Sequence, residues 1–184
     1  MSTVEQNKKI IEKYPFLQPK NIWTNQPIAS YDYTYVLGVD EIPVGWKRLF
    51  LQMCADLKTQ LIKDGFLEEF RFTQVKEKYN RMECYSNGCS EAAQRIIDKY
   101  THMSQYVCTV CGQPAEWETQ NYVASFCHQC WKDYGRHEPS ESVTPETKYR
   151  LIIYTQGKKI HKIISFKREW NRYLKSLENK EPLV

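Results

Sequence analysis

The sequence has no long hydrophobic run. None of its apolar stretches approaches the roughly 18 residues that a membrane-spanning helix needs. The segment 1–13 is polar and charged, without the apolar stretch of a secretory signal peptide. We therefore expect a cytoplasmic protein with no membrane segment.

The common catalytic motifs are also missing. The sequence contains no Gly-rich phosphate loop, no Gly-x-Ser-x-Gly elbow and no His-Glu-x-x-His pair. Cys84, Cys89 and His102 could supply a Cys–His nucleophile or a second metal site. No residue near them in sequence orients such a nucleophile. The two cysteines also lack the Cys-x-x-Cys spacing of a metal-binding turn, called a knuckle below. The sequence therefore favours a non-enzymatic protein, with an enzyme as the weaker alternative.

A strong excess of acidic charge is absent as well. The formal net charge is +4, and it is unevenly distributed. Residues 147–184 carry ten basic and three acidic side chains, whereas the remainder carries 16 basic and 19 acidic ones. This balance argues against a protein that imitates DNA through an acidic surface, and it predicts a basic C-terminal module behind a mildly acidic body.

The strongest motif is a pair of Cys-x-x-Cys sequences, Cys108–Cys111 and Cys127–Cys130, with 15 residues between them. This spacing is typical of a structural zinc site with four thiolate ligands and no open position for substrate. Two disulfides or redox-active dithiols are the alternatives, although the odd total of seven cysteines argues against a disulfide framework. His128, inside the second pair, could replace a thiolate but more often such a residue points outward. We expect one zinc ion per chain.

Hydrophobic periodicity predicts an α+β fold. The stretch 31–35 alternates aromatic and polar residues, which fits either a short edge strand or a packed loop. The other predicted elements are a helix over 4–14, a helix from about 44 to 64, strands over 70–78 and 81–85, a helix over 90–104, a short hairpin over 114–126, a hairpin over 149–166 and a helix over 167–178.

These elements divide the chain into four segments. We predict an α+β body over 1–104, a zinc ribbon over 105–134, a linker over 135–147 and a basic ββα module over 148–184. The linker contains two prolines and several hydroxyl side chains. Because the zinc ribbon lies between the body and the basic module, we expect it to act as a structural joint.

The basic module offers a candidate nucleic-acid surface. Its cations are interleaved with Tyr154, Trp170 and Tyr173, a pattern that can neutralise phosphates and stack on bases. A solvated charged face explains the same residues without a ligand. The candidate contact residues are Lys158, Lys159, Lys162, Lys167, Arg168 and Arg172.

Several segments together resemble one family of small, largely uncharacterised proteins carried by bacteriophages and their bacterial hosts. The resemblance covers about residues 8–131 and includes both cysteine pairs; Asn80 stands where that family usually has glycine. The matching segments are Lys13–Leu17, Asn21–Thr24, Tyr31–Tyr35, Pro43–Lys47, Gln74–Tyr79 and Ile96–Tyr100.

The resemblance implies a zinc site and a phage setting, but no specific activity. Small phage proteins without catalytic motifs often bind and block a host machine, including restriction and CRISPR nucleases. The chain looks similar to zinc-containing inhibitors of Cas9-type effectors, the anti-CRISPR proteins. This implies a host protein, such as a Cas9-type nuclease, as the partner, with nucleic acid as the alternative.

Overall fold

The computed structural model describes residues 3–21, 23–24, 26–119, 123–134, 139–155 and 158–180. It confirms the α+β class, since five helices accompany small antiparallel sheets in the described ranges. The elements are α1 (Thr3–Lys13), α2 (Lys47–Asp64), β1 (Phe72–Lys78), β2 (Arg81–Ser86), α3 (Glu91–Ser104), β3 (Trp117–Thr119), β4 (Ser125–Phe126), α4 (His128–Tyr134), β5 (Pro139–Ser142), β6 (Lys148–Thr155), β7 (Lys158–Ser165) and α5 (Lys167–Glu178).

Helix α2 is the centre of the hydrophobic core. The apolar stripe predicted from its periodicity is completely buried, and so is the adjacent Cys54. The helix ends where Gly65 adopts a φ of 73° and its N–H bonds to the carbonyl groups of Leu61 and Ile62. The members of the stripe are Trp46, Leu49, Phe50, Met53, Leu57 and Leu61.

Helix α3 packs against α2 and begins as predicted. The Ser90 hydroxyl accepts the N–H of Ala93 at 3.1 Å, which makes Ser90 the N-cap. Ile97 and Tyr100 are buried as expected, but Ala92 is exposed because it lies one position off the buried face.

The hairpin β1–β2 lies against α3. Its turn is formed by Tyr79 and Asn80, both with positive φ, in agreement with the turn expected at this asparagine. Two hydrogen bonds connect β2 to the helix: the Met82 N–H donates to the Ser104 hydroxyl at 2.9 Å, and the Thr101 hydroxyl donates to the Met82 carbonyl at 2.9 Å.

The aromatic stretch 31–35 is a packed loop rather than an edge strand. Side chains replace strand pairing: Asn7 donates to the Tyr33 carbonyl at 2.8 Å, and Asp40 accepts the Val36 N–H at 2.7 Å. One distant side chain, Asn7, and one neighbouring side chain, Asp40, satisfy backbone groups in and beside this stretch, so the alternating pattern here is not that of a strand.

The C-terminal elements share the core of the body. Tyr149, Phe166, Trp170 and Tyr173 belong to the same buried cluster as the side chains of α2 and α3. The strands β6 and β7 pair along their full length, and the expected turn at Gln156 and Gly157 lies outside the described residues.

The predicted linker contributes a strand. Strand β5 pairs with β3, with Trp117 opposite Ser142 and Glu118 opposite Glu141, and completes a three-stranded sheet in the order β4-β3-β5. Residues 139–142 of the predicted linker thus pair as a strand, while 135–138 lies outside the described ranges. The strand shows no hydrophobic alternation in its sequence, and it pairs with β3 through the backbone. The division into four segments stays a prediction.

Candidate metal centre

The two cysteine pairs form different turns. In the first, the Gly112 N–H donates to the Cys108 carbonyl at 3.0 Å, and Gly112 adopts a φ of 79° that favours glycine. In the second, Cys127 immediately precedes α4, and the Cys130 N–H points to the Cys127 sulfur at 3.4 Å. The two knuckles are therefore not equivalent.

The four cysteine sulfurs converge on one point. They all lie within 4.8 Å of one another, and the sulfurs of Cys111 and Cys127 are 3.5 Å apart. Four thiolates around one tetrahedral ion with metal–sulfur bonds of about 2.3 Å would be about 3.8 Å apart. The arrangement therefore fits a metal ion held by Cys108, Cys111, Cys127 and Cys130, three of them buried and Cys111 exposed.

Other candidate ligands stay apart from this cluster. Within the described ranges, these four cysteines are the one group of three or more Cys, His, Asp or Glu side chains brought this close together. Cys84, Cys89 and His102 form no such group. His128 is exposed, with its Nδ1 atom 3.8 Å from the Glu116 carboxylate, so it points outward.

The thiols of the metal-free site differ in acidity. Burial opposes ionisation of Cys108, but backbone N–H groups of Cys111, Cys127 and Val110 outweigh it and lower its pKa. Burial raises the pKa of Cys111 to about 11 and also raises that of Cys130. Because thiolates are the metal ligands, ion binding at neutral pH must displace protons from this site.

The first knuckle docks directly on the start of α2. The Gly45 N–H donates to the Thr109 carbonyl at 2.9 Å, and the Trp46 indole donates to the Val107 carbonyl at 3.0 Å. A Cβ atom on Gly45 would lie 2.0 Å from the Cys108 carbonyl oxygen. Only glycine therefore allows the two backbones to approach this closely.

Two further elements contact the metal unit. The buried Tyr173 hydroxyl of α5 donates to the Gly112 carbonyl at 2.6 Å. On another side, the buried Asn80 amide donates to the Ser125 hydroxyl at 2.6 Å and accepts the Ser125 N–H at 3.1 Å. Asn80 thus supplies both the positive φ of its turn and a contact to β4.

Sequence reasoning did not identify these docking residues. In the sequence, Gly45 lies at the start of a predicted helix, Asn80 between two predicted strands and Tyr173 within the predicted C-terminal helix. Each of the three has a local role that explains its presence in the sequence. Each also contacts a residue at least 45 positions away, and no local sequence pattern indicates such a contact.

The candidate nucleic-acid residues differ in their exposure and in their partners. Lys159, Lys162, Lys167 and Arg168 are exposed, and the side chain of Lys158 lies outside the described part of the structure. Arg172 differs, because its guanidinium donates two hydrogen bonds to Asp56, at 2.8 and 2.5 Å, and thereby ties α5 to α2.

Cys84 and His102 line a common cavity, but their protonation does not suit a Cys–His nucleophile. Burial raises the pKa of the Cys84 thiol, so the thiol keeps its proton. Burial, together with the nearby Arg81, lowers the pKa of His102 to about 4, so the imidazole is neutral at pH 7. The arrangement lacks the thiolate–imidazolium form that makes such a pair reactive.

Comparison with known proteins found no matching family model, no matching curated protein and no matching solved structure. Among the described helices, none is long and apolar enough to cross a bilayer. The four-cysteine cluster is therefore the feature on which a functional argument has to rest.

The contact between Gly45 and the knuckle generates the first prediction. Replacing Gly45 with alanine places a methyl group against the Cys108 carbonyl, so we expect the free energy of unfolding to fall by more than about 3 kcal/mol. Urea denaturation measures the loss. Gly65→Ala is the control, because its Cβ meets no atom within 4 Å and costs only the positive φ, about 1 kcal/mol. Equal losses in the two variants would contradict the docking contact.

Proposed function

We propose that the four thiolates hold one zinc ion and that this zinc is structural. Four sulfur ligands, which here lie within 4.8 Å of one another, are the donor set that structural zinc prefers. They fill the coordination sphere and leave no position for water or substrate. The energy of zinc binding then contributes to folding of the surrounding unit.

The function we propose for the whole chain is non-catalytic protein binding. One observation supports a non-catalytic role for the cysteine knuckle: Gly45, Asn80 and Tyr173 contact it and connect it to the rest of the fold. A second feature supports protein binding. Trp23 is 88 % exposed on a turn where Asn21 accepts the N–H groups of Trp23 and Thr24 at 2.8 and 3.0 Å. Exposed tryptophans are frequent anchors of protein interfaces.

The partner we propose is a host defence nuclease of the Cas9 type. The resemblance to phage-carried proteins supports this choice, and the cytoplasm of an infected bacterium is the location that we propose with it. A net charge of +4 disfavours inhibition by imitating DNA. In this proposal the protein therefore acts by covering a surface of the nuclease or by locking one conformation.

Nucleic-acid binding is the second candidate function, and the β6–β7 hairpin favours it. Neither strand contains an acidic residue. The hairpin buries Tyr149 on one of its two faces. On the other face, Lys148 and Arg150 of β6 and Lys159 of β7 are exposed. A two-stranded basic ribbon of this kind has the dimensions of the DNA major groove.

The zinc assignment predicts the metal content of the protein and of one variant. Elemental analysis should find one zinc per chain in the native protein and almost none in Cys108→Ser, because three ligands hold the ion far less tightly than four. The melting temperature should fall by about 2–4 °C for each kcal/mol lost. Cys89→Ser, outside the cluster, is the control and should keep its zinc. Two zinc ions per chain would refute the assignment.

The binding proposal predicts inhibition of a purified Cas9-type nuclease. We expect stoichiometric protein to suppress DNA cleavage, and tagged protein to recover the nuclease from a host lysate. Trp23→Ala should weaken inhibition at least tenfold, as loss of an anchor of about 1.4 kcal/mol or more does. Ile163→Ala, which removes a side chain 62 % exposed on β7, is the control. Undiminished cleavage at excess protein would refute this partner.

The second candidate predicts salt-dependent binding to duplex DNA. In a retardation assay, Lys148→Gln combined with Lys159→Gln should lower the slope of log affinity against log salt by about 2, since each phosphate contact contributes about 0.9. Lys9→Gln, an exposed lysine of α1, should leave the slope unchanged. Failure of the wild-type protein to bind at low salt would remove this function.

A further inference from the structure

A cavity of about 280 Å³ separates the strands β2 and β6, and α3 forms part of its wall. Cys84 lines it from β2, Arg150 from β6 and Thr101 from α3. The two strands belong to different hairpins, since β2 pairs with β1 and β6 pairs with β7. No third strand joins the two hairpins in the described part of the chain, so β2 and β6 are both edge strands beside the same cavity.

The main chain of β2 presents alternate residues on its free edge. In an antiparallel pair, every second residue points its N–H and carbonyl groups away from the neighbouring strand. Met82 is such a residue, because its N–H donates to the Ser104 hydroxyl and its carbonyl accepts the Thr101 hydroxyl, both on α3. Cys84, two positions further along, therefore presents its main-chain groups on the same edge. Within the described ranges, these groups of Cys84 have no hydrogen-bond partner.

The free edge of β6 follows from the pairing at the base of its hairpin. The Phe166 N–H donates to the Thr147 carbonyl at 2.9 Å, which makes these two residues a hydrogen-bonded pair. Along the register from that pair, Arg150 and Ile163 lie opposite each other without bonding to each other. Arg150 therefore directs its N–H and carbonyl away from β7, and Ile163 directs its own to the opposite edge of the hairpin. Among the described residues, neither main chain has a partner.

The cavity thus lies beside main-chain donors and acceptors of two edge strands. Such unpaired edges are templates for the addition of a further strand. A metal ion or a small anion would use only one of the two kinds of group. An extended peptide segment uses both, because its own N–H and carbonyl groups alternate in the same way.

The solvent-side residues of the two edges indicate the charge of such a segment. On β6, Arg150 follows the buried Tyr149 and therefore points away from the core. On β2, Arg81 and Glu83 flank the buried Met82 in the same way. Two arginines against one glutamate leave an excess of positive charge on this side. Acidic side chains on the solvent side of an added strand would complement it.

The α3 wall requires a different side chain. Asp98 lines the cavity from α3, and one of its oxygens accepts the Gln94 amide at 2.9 Å. His102, also in this wall, is neutral at pH 7 because burial lowers its pKa to about 4, so it does not offset the carboxylate charge. A hydroxyl that donates to Asp98 suits this wall better than a second carboxylate.

We propose that the cavity between β2 and β6 is a docking site for an extended segment of a partner protein, which adds as a strand and alternates acidic with hydroxyl side chains. Its main chain bonds to Arg150 on one side and to Cys84 on the other. Its acidic side chains lie beside the arginines and its hydroxyls face α3. This inference rests on the proposed protein-binding function, but it does not depend on a nuclease as the partner.

A blocked peptide with the sequence Thr-Glu-Thr-Glu-Thr is the probe for this site. In an NMR titration of the full-length protein it should bind saturably, and at saturation it should slow hydrogen exchange of the Cys84 and Arg150 amides but not of the Ile163 amide. Methylation of its central amide nitrogen keeps the charge and removes one main-chain donor. That peptide should bind about tenfold more weakly, as the loss of one hydrogen bond does. Lysine in place of both glutamates should also weaken binding.

Arg150→Pro is the decisive variant of the protein. Proline removes the N–H on the edge beside the cavity without removing a bond to β7. It should weaken peptide binding further than Arg150→Ala, which removes only the side chain. Ile163→Pro is the matched control, because it changes the opposite member of the same cross-strand pair and acts on the other edge of the hairpin. It should bind the peptide as the wild type does. The methylated peptide keeps the test decisive even if Arg150→Pro folds poorly.

The inference is overturned if the probe does not bind, if the methylated and parent peptides bind equally, or if exchange at Cys84 and Arg150 is unchanged. Self-association of the protein that Arg150→Pro removes would also overturn it, since a second copy would then occupy the edge. These outcomes are separate from the proposed function. If Trp23→Ala loses nuclease inhibition while the probe does not bind, protein binding stands and the strand-addition site is wrong.

Discussion

The close approach of two backbones, Gly45 at the start of α2 and Cys108 in the first knuckle, is the constraint on which the rest of the structure depends. A side chain on Gly45 would occupy the position of the Cys108 carbonyl. At this distance the Val107 carbonyl accepts a hydrogen bond from the Trp46 indole, and the Thr109 carbonyl accepts one from the Gly45 N–H. The most buried helix of the core and the cysteine cluster are therefore positioned against each other by main-chain geometry, which tolerates very little displacement.

Elements that are distant in sequence also contact the cysteine unit. Tyr173 brings α5 to the Gly112 carbonyl, and Asn80 brings the β1–β2 turn to Ser125. Each of these contacts depends on the position of the knuckle. A metal ion held by the four cysteines, as proposed above, would therefore couple metal binding to the positions of three elements outside the cysteine segment.

The parts of the fold that were predictable depend on residues close in sequence. The α2 stripe and the Ser90 cap are patterns within a short stretch of sequence, and the two cysteine pairs have a spacing typical of metal sites. Strand β5 was missed because its neighbour β3, rather than its own composition, makes it a strand. The role of Arg172 was missed for a similar reason: a basic side chain has the same sequence signature whether it faces solvent or binds Asp56, 116 positions away.

Two buried tyrosines of the C-terminal elements show how function can be separated from packing. Tyr173 and Tyr149 both contribute their rings to the common core. The hydroxyl of Tyr173 is explained by its bond to Gly112, and a phenylalanine there would leave that carbonyl without a donor. The hydroxyl of Tyr149 has no such explanation, since a phenylalanine would fill the same space without burying an unpaired polar atom. Packing alone therefore accounts for the ring of Tyr149 but not for its oxygen.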